Sequence, residues 1–542
     1  MTSTCWSAMM NAPLAFMNNL KEAIHCYHSL TLIITCISTS FLALSLFINL
    51  RSKWREANFM KQHGCDEPAS LKYKWPFALD LVILAFSMIQ KKQSLQWFSS
   101  IFENTGTTFQ QRILGARSIS TIEPSNIESI LNSNFSAYGL GKRRATFFPL
   151  LGDGIFTQEA LPWKHSRDML RLLFSLNRTN IFKQVEEHTE HHVHCIPNRE
   201  YVDLQPLFFQ FTFDTTTFLL FGKSMNSIQA TSTQGKLIAR EAGFSEAFRI
   251  PQDYLFRRGR LGDQYWLIGG KEFRENCSIV HQFIDEAIHE ALSAEYQENK
   301  LGRVHSFLDA LMKETRDSKV LRDQLLNVML AGRDTTACCL TWTFRLLAQH
   351  PAVFEKLRME IGSTLGKFSI LPDSNSLKKM RYLGFVLKEV LRLYPSVPIN
   401  SRTALETTIL PTGGGPDGTK PLMIKKGEAV GYSVYIMHRL KNLYGEDAES
   451  FRPERWDPEV KNDVDLRNIG YGYLPFNAGP RVCLGQEFAL LEAGFVTVRI
   501  LQRFSKLDLH PDDAKIPVGK EDQEVTLVVA STSGCRVKAS WA

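Results

Sequence analysis

Among the ten cysteines of this 542-residue chain there is no CxxC pair, and only Cys338 and Cys339 are adjacent. Such scatter argues against a zinc site or a disulfide framework. No block of basic residues occurs either: 63 Lys and Arg against 56 Asp and Glu leave a net +7 spread along the whole length. That is too dilute for a nucleic-acid surface, whereas an anionic membrane or an acidic partner protein is compatible with it. From about residue 113 onward there is no internal repeat, low-complexity tract or Pro/Ser-rich linker, so one large domain is expected. Hydrophobic residues at 44% and charged residues at 22% exclude both a disordered polymer and a polytopic membrane protein.

One long apolar run is present, residues 30–50, uncharged and spanning roughly 31 Å as a helix. Arg51, Lys53 and Arg55 follow it, while Lys21 and Glu22 cancel on the other flank, which places everything after Arg51 in the cytosol. The run begins late and no small-X-small site precedes the basic cluster, which disfavours a cleaved signal peptide. The expected division is a lumenal segment (1–29), a single transmembrane anchor (30–50), a membrane-proximal linker and surface segment (51–112) and a catalytic domain (113–542), held at the endoplasmic reticulum. The Asn-X-Ser/Thr triplets at Asn134, Asn177 and Asn276 would then stay unmodified. A second apolar stretch, 81–88, is too short to span and is expected on the membrane surface or packed on the domain.

Apolar periodicity predicts helices over 124–131, 163–176, 208–221, 273–292 and 322–349, and short strands over 116–121, 402–408 and 525–530. The fold class is mainly α with small β-sheets. Toward the C-terminus, 413–416 and 453–481 lack periodicity but hold many glycines and aromatics, the mark of a functional irregular segment.

The stretch Phe476-Asn477-Ala478-Gly479-Pro480-Arg481-Val482-Cys483-Leu484-Gly485-Gln486 sets a cysteine between glycines just before a helix. Glycines let the backbone turn tightly against something flat, and a helix N-terminus favours a thiolate and offers it N–H donors. A lone cysteine is otherwise a small buried hydrophobe. At every fixed position this stretch resembles the haem-ligand signature of the cytochrome P450 family, Phe-x-x-Gly-x-Arg-x-Cys-x-Gly. The resemblance implies the P450 fold after the anchor and haem b bound by the Cys483 thiolate. Arg481 becomes a propionate partner and Phe476 part of the cofactor cradle.

Further segments agree in kind and order with that resemblance. Ala331-Gly332-Arg333-Asp334-Thr335-Thr336 puts a glycine and paired threonines inside a long helix, at a cost in helix propensity. The resemblance implies room for O2 at Gly332 and an acid–alcohol pair, Asp334 and Thr335, that delivers protons; a kink with back-bonded threonines is the plain alternative. Glu389 and Arg392 stand one turn apart, and with Arg455 of Phe451-Arg452-Pro453-Glu454-Arg455-Trp456 they imply a buried scaffold holding the cysteine loop. Trp163 and Arg167, also one turn apart, are implied propionate contacts, with His165 and Arg402 as further donors.

The segments 152–156, 163–167, 331–337, 413–418 and 438–456 resemble the fungal branch that hydroxylates alkanes and fatty acids, members of which also serve secondary metabolism. Leu161-Pro162 departs from that pattern, which has a glycine-containing turn there. Phenylalanines between 244 and 256 are expected to form a lipophilic entrance. The implied activity is hydroxylation of an aliphatic C–H bond of a lipophilic substrate by O2. Electrons from NADPH would come through a separate NADPH–cytochrome P450 reductase docked near Arg481, since no flavin or nicotinamide motif is present. A haem-thiolate isomerase, a peroxide-driven enzyme and a non-catalytic haem protein are the alternatives.

Overall fold

The computed structural model describes residues 4–176, 178–224, 237–293, 306–367, 369–461 and 464–542; the Asn177 triplet starts outside them. Two compact units result, 1–66 and 67–542. In the first, Thr4–His63 is one helix, and its Leu32–His63 part is long and apolar enough to cross a membrane.

The second unit begins at Glu67, so residues 67–112 of the expected linker pack within it. Thr108–Ile113 and Ala116–Thr121 pair antiparallel around Leu114 and Gly115, both at positive φ, as a two-residue hairpin turn requires. They join a six-stranded sheet in the order Ala69–Ser70, Thr108–Ile113, Ala116–Thr121, Ala429–Ser433, Ile399–Ala404 and Tyr138–Gly139. The 81–88 stretch lies in the helix Leu79–Gln90, which leaves Ile83 and Phe86 exposed beside exposed Trp75 and Phe77.

The helix Ser318–Gln349 organises the rest. Asp317 caps it by accepting the N–H groups of Lys319 and Val320, and it is buried along nearly its whole length, polar side chains such as Asp323, Asn327 and Thr341 included. It packs most heavily on the helix Leu204–Phe221. Its first half, with Leu321, Leu325 and Met329, belongs to one apolar cluster; its second half, from Ala337 through Ala348, belongs to another. Residues 331–336 fall between the two, and there Ala331, Gly332 and Thr335 are partly open.

Three expectations change. The strand expected over 402–408 is broken: Ile399–Ala404 pairs in the large sheet, whereas Thr408–Gly414 pairs with Lys420–Ile424 in another, because Leu405 turns its N–H to Ala137 O. The strand over 525–530 is a hairpin of Gln523–Val525 with Val529–Ser531. Phe244 and Phe248 form no entrance; they are core, with the Phe244 ring 4.1 Å from Phe283 and 5.8 Å from Phe213.

Candidate active site at the cysteine loop

The loop before the helix Gln486–Arg503 is shaped by its backbone. Asn477 and Gly479 take φ of +61° and +65°, and a Cβ on Gly479 would lie 1.9 Å from Leu131 O, so only glycine fits. The Cys483 N–H closes the turn on Phe476 O at 3.0 Å, and the Phe476 ring packs on the core. Tyr432 donates to Asn477 Oδ1 at 3.2 Å, while Asn477 Nδ2 donates to Arg481 O at 3.3 Å. Cys483 is exposed, yet the protein around it pushes its thiol pKa up; the Gly485 N–H and Arg167 oppose that shift.

Arginines gather around Arg481, two residues before Cys483. Arg481 is pushed down to about 9 by burial and by Arg402 and Arg143, with Arg167 adding to the repulsion and Glu159 alone opposing it. Burial, then Arg402, push Arg143 down to about 10. Arg143 Nη2 and Arg402 Nη1 share Asn400 Oδ1 at 2.7 and 3.1 Å, and Arg402 Nε is buried with no hydrogen-bond partner among the described residues. Arg481 lies 4.3 Å over the Trp163 ring and Arg167 5.9 Å from it. His165 is not brought in with them: two positions on, it lies roughly 200° round the helix from Trp163 and is exposed. Arg143, Arg402 and Arg481, with Arg167 near the last and an orphaned N–H on Arg402, make a site for anionic groups such as the two propionates of haem. A soft sulfur donor on a helix N-terminus suits iron, so the residues present fit that group.

On the long helix, Thr335 donates its hydroxyl to Ala331 O at 2.7 Å, and its own carbonyl accepts Ser396 Oγ at 2.9 Å. Asp334 is buried and turned elsewhere, 3.6 Å from Arg333 Nε and hydrogen-bonded to Gln252; burial raises its pKa against both. The next residue, Thr336, bonds Glu492 on the helix that follows Cys483. Glu492, overlooked in the sequence, also accepts the Thr215 hydroxyl at 2.7 Å.

The family model for cytochrome P450 matches residues 74–533. The chain belongs to the cytochrome P450 family. It is 48% identical over 517 residues to a cytochrome P450 of Arthroderma benhamiae, covering 94% of this chain and 98% of that one. To cytochrome P450 52A5 of Candida maltosa it is 44% identical over 451 residues, 79% and 84% of the two chains. To cytochrome P450 monooxygenase g430 of a Fusarium species it is 38% identical over 525 residues, 93% and 90%. The protein is a haem-thiolate monooxygenase, using haem b, O2, a lipophilic substrate and NADPH-derived electrons from a reductase.

In this P450 the Glu389 carboxylate takes two bonds from Arg392, at 2.8 and 2.9 Å, one from Arg455 Nε at 3.1 Å and one from Trp456 Nε1 at 2.9 Å. All but Trp456 are fully buried, and every charge there is paired, which is what lets ions sit in a core. Arg392 also donates to His438 O at 2.8 Å, and His438 Nε2 accepts the Leu474 N–H at 2.8 Å, the entry to the cysteine loop. Burial and Arg392 push His438 down to about 3, so it is a neutral acceptor. No spacing rule in the sequence pointed to His438, Trp456 or Arg143. At the departure before Trp163, Ala160 takes φ +49° and Leu161 is exposed, so an alanine bears the left-handed turn that the resembled pattern gives to glycine.

Proposed function

We propose that Cys483 would hold the haem iron through its thiolate, that Arg402 and Arg481, with Arg167 and Trp163 beside them, would hold the propionates, and that the enzyme hydroxylates an aliphatic chain. When bound, haem supplies the oxidising chemistry, its thiolate ligand favouring O–O cleavage. The chain's own part is to hold, insulate and supply protons. The Gly485 N–H steadies the sulfur. The space expected for O2 at Gly332 is taken by Thr216, whose Oγ1 would lie 2.9 Å from a Cβ there, so that glycine lets the helix Leu204–Phe221 pack close, whereas the Thr335 hydroxyl turns from Ala331 O to hold a proton at Oγ1. Leu330 and Ala331, partly open beside it, offer an alkyl chain an apolar wall, and Asp334 is the nearest acid in sequence. The anchor lies in the endoplasmic reticulum membrane with the domain cytosolic, and NADPH–cytochrome P450 reductase docks over the outer face of the helix Ala160–Leu176. Lys164 and Arg171 are exposed there, whereas Arg481 is turned inward.

The observation that carries this reading is the exposed Cys483 sulfur just before the helix Gln486–Arg503, with Arg167 acting on it and Arg143 and Arg402 gathered around Arg481 two residues earlier. The reduced, carbon monoxide-treated protein is expected to show the spectrum of a thiolate-bound haem, and Cys483→Ser to lose it with turnover. With reductase and NADPH, mass spectrometry of products from fatty acids, alkanes and terpenoids is expected to find hydroxylated chains. Product formed equally well without NADPH would transfer the assignment to an isomerase or peroxide-driven enzyme.

A further inference from the structure

Residues 152–158 join the helices Arg143–Leu151 and Ala160–Leu176, and their backbone is gripped from the first half of the long helix. Asp323 Oδ2 accepts the Asp153 N–H at 2.9 Å, Asn327 Oδ1 accepts the Phe156 N–H at 3.0 Å, and Asn327 Nδ2 donates to Leu151 O at 3.0 Å. The approach is so close that a Cβ on Gly152 would lie 2.1 Å from Asp323 Cγ, and one on Gly154 2.3 Å from Asn327 Nδ2. Inside the loop, the Thr157 hydroxyl accepts the Gly154 N–H at 2.9 Å and donates to Gly152 O at 2.8 Å. Gln324 Nε2 donates to Ser166 Oγ at 2.7 Å, which donates on to Gln158 Oε1 at 2.6 Å. Thr157, Ser166, Asp323, Gln324 and Asn327 are all buried.

What the loop presents on its other side is a pair of carbonyls, and both are taken by one side chain. Arg481 Nη1 donates to Ile155 O at 3.3 Å and Nη2 to Gln158 O at 3.0 Å. A free arginine side chain samples many rotamers, so two fixed acceptors and the Trp163 face below decide which N–H groups remain for an anion. The carbonyls are fixed only if the loop is; Asn327 and Thr157 hold its middle around Ile155, while Asp323 and the Gln324–Ser166–Gln158 chain hold its two ends.

We infer that Asn327 and Thr157 are positioning residues for Arg481, setting through the 152–158 loop the orientation in which its guanidinium meets a cofactor carboxylate. This rests on the reading of Arg481 as a carboxylate partner. The test uses the full-length, haem-loaded protein in detergent and measures the rate of haem transfer to excess apomyoglobin, together with the haem midpoint potential. Asn327→Leu and the nearly isosteric Thr157→Val are expected to speed transfer about tenfold and to move the potential in the same direction as Arg481→Lys, while Thr157→Ser stays near the parent. Because the effect runs through Arg481, Asn327→Leu added to Arg481→Lys is expected to transfer haem no faster than Arg481→Lys alone. Full additivity of the two, or parent-like rates for both Asn327→Leu and Thr157→Val, overturns the inference. A parent-like rate for Arg481→Lys instead overturns the reading of Arg481 on which it stands. Should Asn327→Leu not fold, Thr157→Val paired with Thr157→Ser decides the question alone.

Discussion

Thr335 and Thr336 are neighbours with opposite errands: one hydroxyl returns to its own helix at a partly open position, the other bonds a buried carboxylic acid. Thr335→Ala leaves no movable proton at that point, so electrons are expected to be spent without product, seen as peroxide release rising against product per NADPH consumed. Unchanged coupling would remove Thr335 from proton supply. Glu492 makes no ion pair among the described residues, and burial pushes its carboxyl up to about 7 from an ordinary 4.5, against the Thr215 and Thr336 hydroxyls. Between those values the folded chain keeps a proton that the unfolded chain has released, so stability falls as pH rises through the window, by up to about 1.4 kcal/mol per unit. Glu492→Gln has no proton to lose, and its melting temperature is expected to flatten between about pH 5 and 7 relative to the parent. A parent-like slope in that variant would mean the acid titrates normally.

Elements here obey local rules where neighbours in sequence suffice and depart from them where partners come from afar. The long helix was legible from apolar periodicity over 322–349, and its observed start at Ser318 follows from the Asp317 cap. The strand read over 402–408 was not divisible from sequence, because the edge of each half is set by distant strands, Ala429–Ser433 and Lys420–Ile424. The cysteine loop sits between these cases: its letters are recognisable, but its fit depends on Leu131 O lying against Gly479. Gly479→Ala forces both a clash with backbone and a strained positive φ, and is expected to cost about 3 kcal/mol or more and to abolish haem incorporation. Haem content per protein checks this directly, and a normally loaded variant would show that the loop can shift.

Across the molecule, the anchor helix and the second unit each hold together through their own contacts. Removing residues 1–55 is expected to leave haem binding intact and to release much of the protein from membranes. A fraction stays bound through Trp75, Phe77, Ile83 and Phe86, whose exposed apolar surface suits the interfacial layer. Sedimentation with membranes, scored beside haem content, measures both; loss of haem would mean that the second unit depends on the anchor. The span, the cysteine motif, the order of the accessory motifs and the helical texture could all be read along the chain, since each depends on backbone conformation or on side chains within a few turns. The place of Arg143 beside the other three arginines, the His438 link and the Glu492 tie could not. They join Arg143 to Asn400, His438 to Leu474 and Thr215 to Glu492 across 257, 36 and 277 residues. At such separations periodicity is silent, and what meets what is settled by how helices and sheets pack around the shared core.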